Sequence, residues 1–297
     1  MKVLIAGASG LVGSALIPAL EADGAEVTRL VRSSPKPGEV EWHPNHDEMD
    51  SASLAGFDAI INLAGENVVG GRWTEEQKRK IHDSRVNGTH LLSEAMAKLT
   101  KGPKVFLCAS ATGFYGDRDD EVLDEHSESG GGFLAGVCRE WEQATEPAAS
   151  GGVRVVNLRF GVILSRDGGM LGKLLTPFKM GMGGKIGSGK QLISWVAIDD
   201  VIGAIKLALA DETFRGPLNI VSPNAVTNEA FTKTLGHVLS RPTALAMPAF
   251  AARLAFGEMA DEMLLASQNV VPKRLMDAGY EFKYPELEGA LRHFLGN

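Results

Sequence analysis

A glycine-rich turn six residues into the chain constrains its fold more than any other segment. The apolar run Lys2-Val3-Leu4-Ile5-Ala6 leads straight into Gly7-Ala8-Ser9-Gly10-Leu11-Val12-Gly13. A buried strand, a tight turn and a helix start thus fall within a dozen residues. In that order Gly7 permits the turn, Gly10 lets the main chain approach phosphate oxygens, and Gly13 lets the helix pack close to the strand. Ser9, Leu11 and Val12 complete the binding segment. The free N–H groups of the first helical turn, with the helix dipole, face the anion. A following strand over residues 25–31 supports a dinucleotide site; a glycine turn that merely packs is the alternative.

Apolar, β-branched runs recur over residues 3–6, 27–31, 59–63, 105–109 and 153–158, and helical stretches over 12–22, 74–99 and 133–149 separate them. Short apolar strands alternating with helices predict a parallel sheet covered on both faces. Right-handed crossovers make this a doubly wound α/β architecture of the Rossmann type. Pro18 predicts a bend in the first helix. Beyond residue 160 glycines accumulate among Lys173, Lys179, Lys185 and Lys190, which predicts a mobile substrate-side region around one short helix over 170–180. Asp199-Asp200 opens a helix over 201–210, residues 217–221 read as another strand, and the rest is mostly helical with breaks at Pro242, Pro248 and Pro272. The expected division is a dinucleotide-binding domain over 1–160 plus 199–222. A smaller, mostly helical region over 161–198 plus 223–297 then covers the carboxyl ends of the strands.

With 297 residues, 44% of them hydrophobic, the chain can bury a sizeable core. Its net charge of −7 gives no footprint for nucleic acid or an anionic membrane surface. No apolar run reaches membrane-spanning length. Cys108 and Cys138 form no CxxC pair, which fits a reducing compartment, and the chain enters a core strand at once, so the expected location is cytoplasmic. His43 and His46 lie three apart without further ligands, and Asp117, Asp119, Asp120 and Glu121 read as a solvated acidic loop, so no metal site is expected.

The end of the second strand selects the nucleotide. An acidic residue there would bind adenosine ribose hydroxyls, but the strand runs Leu30-Val31-Arg32-Ser33-Ser34. Arg32 can fork onto a 2′-phosphate, with Ser33 adding a hydroxyl, which favours NADP(H) over NAD. Asn62-Leu63-Ala64-Gly65 ends the strand at residues 58–63, where small residues admit the adenine-ribose side of a cofactor or simply pack. Lys185 and Lys190 flank Gly187-Ser188-Gly189 and are candidates for an anionic substrate group, with Trp195 covering an apolar part; a solubilising surface loop is the alternative.

Ser110-Ala111-Thr112-Gly113-Phe114-Tyr115-Gly116 follows the strand at 105–109. With the glycine loop, Asn62–Gly65 and Asn87-Gly88-Thr89, it resembles extended short-chain dehydrogenases/reductases of the epimerase/dehydratase type. Arg72-Trp73-Thr74, Asp83-Ser84-Arg85-Val86-Asn87-Gly88-Thr89, Gly187-Ser188-Gly189 and Ser194-Trp195 with Asp199-Asp200 narrow the resemblance. They look like an atypical epimerase-family subgroup, sometimes labelled cell-division-inhibitor-like, whose members end in a helical region like residues 272–295. The resemblance implies an NADP(H)-binding fold with substrate under the C-terminal part. It also implies that helices 74–99 and 133–149 can pair subunits into a homodimer.

Active enzymes of this type use a tyrosine with a lysine four residues on. Aligned on Glu142, this chain has Leu134 and Cys138 there. Leucine has no proton, and a thiol with a pKa of about 8.5 carries no positive charge. Tyr115 is a candidate replacement acid, and Ser110 and Thr112 are candidates to orient a carbonyl. Cys138 reads as a small buried hydrophobe and Glu142 as solvent-facing. The leading reading is therefore an NADP(H)-dependent oxidoreductase on an unknown small carbonyl or imine, with a displaced proton donor. A non-catalytic NADP(H)-binding sensor is second. Sugar-nucleotide epimerisation is third, because it needs the missing relay.

Overall fold

The computed structural model describes every residue except 45, 47, 70, 71 and 297. In chain order the first half runs β1 (Lys2–Ala6), α1 (Leu11–Ala22), β2 (Glu26–Val31), β3 (Glu39–Glu41), β4 (Ala59–Asn62), α2 (Glu75–Ala97), β5 (Val105–Ala111), β6 (Val122–Leu123), α3 (Phe133–Gln143) and α4 (Glu146–Ser150). The second half runs β7 (Arg154–Phe160), β8 (Val162–Ser165), α5 (Gly169–Lys179), β9 (Leu192–Ile193), β10 (Trp195–Ala197), α6 (Ile198–Ala210), β11 (Gly216–Ile220), β12 (Val226–Thr227), α7 (Asn228–Leu239), α8 (Ala249–Phe256), β13 (Asn269–Val270), α9 (Lys273–Asp277) and α10 (Leu287–Leu295). Seven strands form one sheet in the order β11-β7-β5-β4-β1-β2-β3, and every pair in it is parallel. This is the doubly wound Rossmann architecture.

The sheet is buried on both faces, which is why its strands read as unbroken apolar runs. Val3, Ile5, Ile61 and Leu107 face Leu16, Ile17 and Leu20 of α1 and Val201 and Ile205 of α6. Leu4, Ala6, Ile60 and Phe106 face the other way, onto Leu92 and Met96 of α2, Trp141 of α3 and Ala148 of α4. Strand order reverses between β1 and β4, so the carboxyl ends of those two strands form the crevice where doubly wound sheets take ligands.

A third core joins Leu164, Leu171, Phe178 and Trp195 to Phe231, Leu235, Leu291 and Phe294. The glycine-rich stretch after residue 160 is therefore more built than expected. Strand β8 pairs with β10, and β9 pairs with β12. These strands are two to four residues long and separated by glycine turns, so they leave no periodic signal. The helix expected over 133–149 is two helices, α3 and α4. Pro147 lacks an N–H and its ring opposes a helical carbonyl at Gln143, so α3 ends there. Helix α6 starts at Ile198, and Asp200 is turned inward, accepting the N–H groups of Lys283 and Tyr284.

Candidate functional site

The glycine loop leaves β1 at the reversal point. Gly7 has φ +78°, and a Cβ there would lie 2.6 Å from the Leu63 carbonyl carbon at the end of β4. A Cβ on Gly13 would collide with the Gly7 carbonyl. Both positions require glycine, one to bring two strand ends together and one to let α1 start beside the turn. Gly10 is the N-cap of α1, no side chain caps it, and its first turn holds no acid. The first N–H groups of this helix, from Leu11 to Gly13, have no helical partner. Unpartnered N–H groups at a helix start are donors for an anion. Leu11 packs against Gly168 and Gly169 at the start of α5, where added Cβ atoms would stand 3.6 and 3.2 Å from its side chain. The second region of the chain therefore reaches the edge of the phosphate loop.

Arg32 and Ser33 follow β2 and are exposed. Among the described residues no carboxylate or carbonyl holds the Arg32 guanidinium, so its fork is free for a ligand phosphate. Asn62 serves the protein itself. Its Nδ2 donates to Thr89 Oγ1 at 2.9 Å, and its Oδ1 accepts the Ala64 N–H at 3.1 Å, which fixes the Leu63-Ala64-Gly65 turn. Trp141 Nε1 donates to the same Thr89 oxygen at 2.9 Å.

At the end of β5 the strand register brings together groups distant in sequence. Ser110 is the partner of Arg159 on β7, and Arg159 is the partner of Asn219 on β11. Arg159 donates Nε and Nη2 to the two carboxylate oxygens of Glu142, each at 2.8 Å, and Nη1 to the Tyr115 hydroxyl at 2.9 Å. Its guanidinium lies 3.5 Å from the Phe114 ring centroid. Ser110 Oγ donates to Glu142 Oε1 at 2.7 Å. The Tyr115 hydroxyl lies 2.9 Å from the Asp124 carbonyl and 2.8 Å from Asn219 Oδ1, either of which can accept its proton.

This network corrects several expectations. Tyr115 is fully buried, and its pKa is pushed up to about 12, chiefly by burial. It is a strut in the core and not an acid facing a ligand. Ser110 is buried with its proton directed at Glu142, and Thr112 is buried in the 3-10 turn Thr112–Tyr115. Glu142 does not face solvent but closes an ion pair whose arginine side chain is 4% exposed. Trp195 is fully buried in the third core, and its Nε1 donates to the Asn224 carbonyl, so it covers no ligand. The signal for this network was Arg159, a charged residue within the apolar strand β7.

Leu134 and Cys138 lie against Gly113, whose Cβ would stand 3.5 Å from Leu134 Cβ and 3.7 Å from Cys138 Sγ. Burial pushes the Cys138 and Cys108 thiols each up to about 12, so neither is a nucleophile at neutral pH. Lys185 pairs with Glu229 at 3.4 Å, while Lys190 stays exposed. Among the described residues no cluster of histidine, cysteine and acidic side chains is placed to hold a metal ion, and no helix is long and apolar enough to cross a membrane.

The C-terminal region closes over this end of the sheet. Glu262 accepts the N–H groups of Phe133 and Leu134 at 3.0 and 3.1 Å, capping α3 from a segment almost 130 residues away. Arg72 donates to the Leu254 carbonyl, and Lys78 pairs with Glu258. Sequence reading missed Glu262 because a cap supplied from so far away leaves no local pattern.

A doubly wound sheet with an uncapped glycine loop at its reversal point defines a dinucleotide-binding protein of the short-chain type. Residues 3–220 match the NAD dependent epimerase/dehydratase family, and residues 247–294 match a domain of unknown function, DUF1731. The chain belongs to that epimerase/dehydratase family. It is 43% identical over 290 residues to an epimerase family protein, Mb2239, of Mycobacterium bovis, covering 97% of this chain and 96% of that protein. It is 37% identical to the human epimerase family protein SDR39U1, covering 99% of this chain and 100% of the human one. The crystal structure of human SDR39U1 (isoform 2) with NADPH superposes with a TM-score of 0.92 at 36% identity, over 100% of both chains. A nucleoside-diphosphate sugar epimerase from Corynebacterium glutamicum gives a TM-score of 0.83 at 41% identity, where this chain spans 58% of that protein's length.

Proposed function

We propose that this protein binds NADP(H) in the crevice between β1 and β4 and acts as an atypical oxidoreductase on a small carbonyl-type substrate. The observation that carries the reading is the pairing of an uncapped, acid-free start of α1 with an unengaged Arg32 at the end of β2. A diphosphate fits the first. A 2′-phosphate fits the second, since a free arginine attracts phosphate where an acid would repel it. The human relative crystallised with NADPH supports the same assignment.

When bound, the cofactor supplies a hydride at its nicotinamide ring. The chain's own residues then hold and orient. Gly7, Gly10 and Gly13 admit the main chain to the diphosphate, and Arg32 with Ser33 holds the adenosine phosphate. Leu134 and Cys138 line the place where related enzymes keep their proton donor and its lysine, so the chain offers an apolar wall there. The proton for a reduced carbonyl then comes from solvent or from the substrate itself.

A second reading, NADP(H) as a sensed or structural ligand without turnover, is favoured by the committed hydroxyls of Tyr115 and Ser110. Following NADPH absorbance with a panel of aldehydes, ketones and imines separates the two. Cofactor oxidation with any of them supports the oxidoreductase. Tight cofactor binding with no oxidation across the panel supports the sensor.

A further inference from the structure

Among the described residues Arg85 on α2 has no carboxylate partner, and it stands at the open edge of the crevice. Its Nη1 donates to the Ile81 carbonyl one turn back at 3.0 Å, and its guanidinium carbon lies 5.1 Å from the Trp141 ring centroid. These two contacts fix the plane of the fork and leave most of its five N–H donors unengaged. The fork lies against Gly65, where an added Cβ would stand 3.1 Å from the guanidinium carbon. Gly65 is exposed, so the absence of a side chain there keeps this edge uncovered. Among the described residues no carboxylate comes within ion-pair distance of Arg85, and Glu66 acts on it only from further away. The other arginines drawn into the protein are answered. Arg159 has both oxygens of Glu142, and Arg154 has the carbonyls of Ala208, Leu209 and Phe214. A half-buried, unpaired guanidinium is costly to hold. That cost is offset when a ligand brings the missing oxygens.

We infer that Arg85 is an oxyanion-binding residue of the crevice, holding a carboxylate or phosphate beside the Gly65 turn. The inference rests on the dinucleotide-binding reading of the crevice. Its position fits the role. Gly65 lies two residues beyond Leu63, whose carbonyl lies beside Gly7 of the glycine loop. The oxyanion comes from the cofactor diphosphate or from an acid group on the substrate, and the two sources are separable.

The test compares the wild-type protein with R85M, which keeps the aliphatic stem on Trp141, and R85Q, which keeps amide donors without charge. NADPH affinity is read by fluorescence titration. The NADPH-saturated protein is then titrated with oxalate and with inorganic phosphate, read by thermal shift. If the cofactor is the source, both variants bind NADPH about tenfold or more weakly. If the substrate is the source, NADPH binding is unchanged and the response to oxalate or phosphate is lost. Folded variants that match the wild type in both titrations overturn the inference. A readout free of variants is phenylglyoxal modification of Arg85 in the wild-type protein, followed by peptide mass spectrometry. Slower modification with NADPH, oxalate or phosphate supports the site, and an unchanged rate with all three overturns it. Failure of the wild type to bind NADPH defeats the dinucleotide reading separately, because phosphate protection of Arg85 is still measurable without cofactor.

Discussion

Glu142 holds Arg159 through two parallel hydrogen bonds, each 2.8 Å long, across the gap between α3 and β7. Ser110 and Tyr115 both hang on this pair. Removing one partner of a buried, hydrogen-bonded ion pair strands the other, at a cost of about 3–5 kcal/mol. Glu142→Leu is therefore expected to lower the unfolding free energy by that order in urea titrations. Glu142→Leu combined with Arg159→Met recovers part of the loss, because neither charge is then left alone. A single variant within about 1 kcal/mol of wild type contradicts the role given to the pair.

The tyrosines supply a pH prediction. All three have raised pKa values, with burial the largest cause in each case. For Tyr115 the folded value of about 12 stands above the ordinary value near 10. The folded protein thus keeps a proton that the unfolded chain releases. Stability is unaffected by this group below pH 10 and falls as pH rises from 10 through 12. Absorbance titration at 295 nm, compared with Tyr115→Phe, is expected to show no Tyr115 tyrosinate near pH 10 while the fold persists. A tyrosine titrating at pH 10 in the intact protein, and absent from Tyr115→Phe, contradicts the burial of Tyr115.

Arg32 is expected to set the choice between cofactors. Arg32→Ala removes one charge-assisted contact to a phosphate, worth about 1.5–3 kcal/mol, or roughly ten- to hundredfold in affinity. The loss falls on NADPH and leaves NADH nearly untouched. Parallel titrations with both nucleotides check this, and an equal loss for both means that Arg32 does not contact the 2′-phosphate.

Glu262 ties the C-terminal region to α3. Glu262→Ala leaves the Phe133 and Leu134 amides without their acceptor, a cap loss of about 1 kcal/mol. Hydrogen exchange at these two amides is expected to quicken well before exchange in the β1 core does. Unchanged protection shows that another group caps the helix.

The parts of this molecule legible in its sequence are those whose causes are local. Gly7 and Gly13 sit where neighbouring main chain forbids a Cβ, and strands buried on both faces announce themselves as apolar runs. Strand β3 was missed because Glu39-Val40-Glu41 at the sheet's edge has one apolar residue and no pattern. The break before Pro147 has a local cause as well, since proline cannot donate the N–H that a continuing helix needs. The Ser110–Glu142–Arg159–Tyr115 network was illegible for a different reason. Parallel register aligns Ser110, Arg159 and Asn219 across three strands, and nothing in one sequence states which strands are neighbours. Reading Tyr115 and Trp195 as ligand-facing failed on the same ground, because tertiary burial decides where an aromatic side chain points.

The account stands most directly on calorimetric titration of the folded, nucleotide-free protein with NADPH, with Gly13→Val as the comparison. One saturable site per chain is expected for the wild type. The variant should lose it, because its side chain must displace the Gly7 carbonyl. Absence of binding by the folded wild-type protein contradicts the assignment of the β1–β4 crevice as a dinucleotide site.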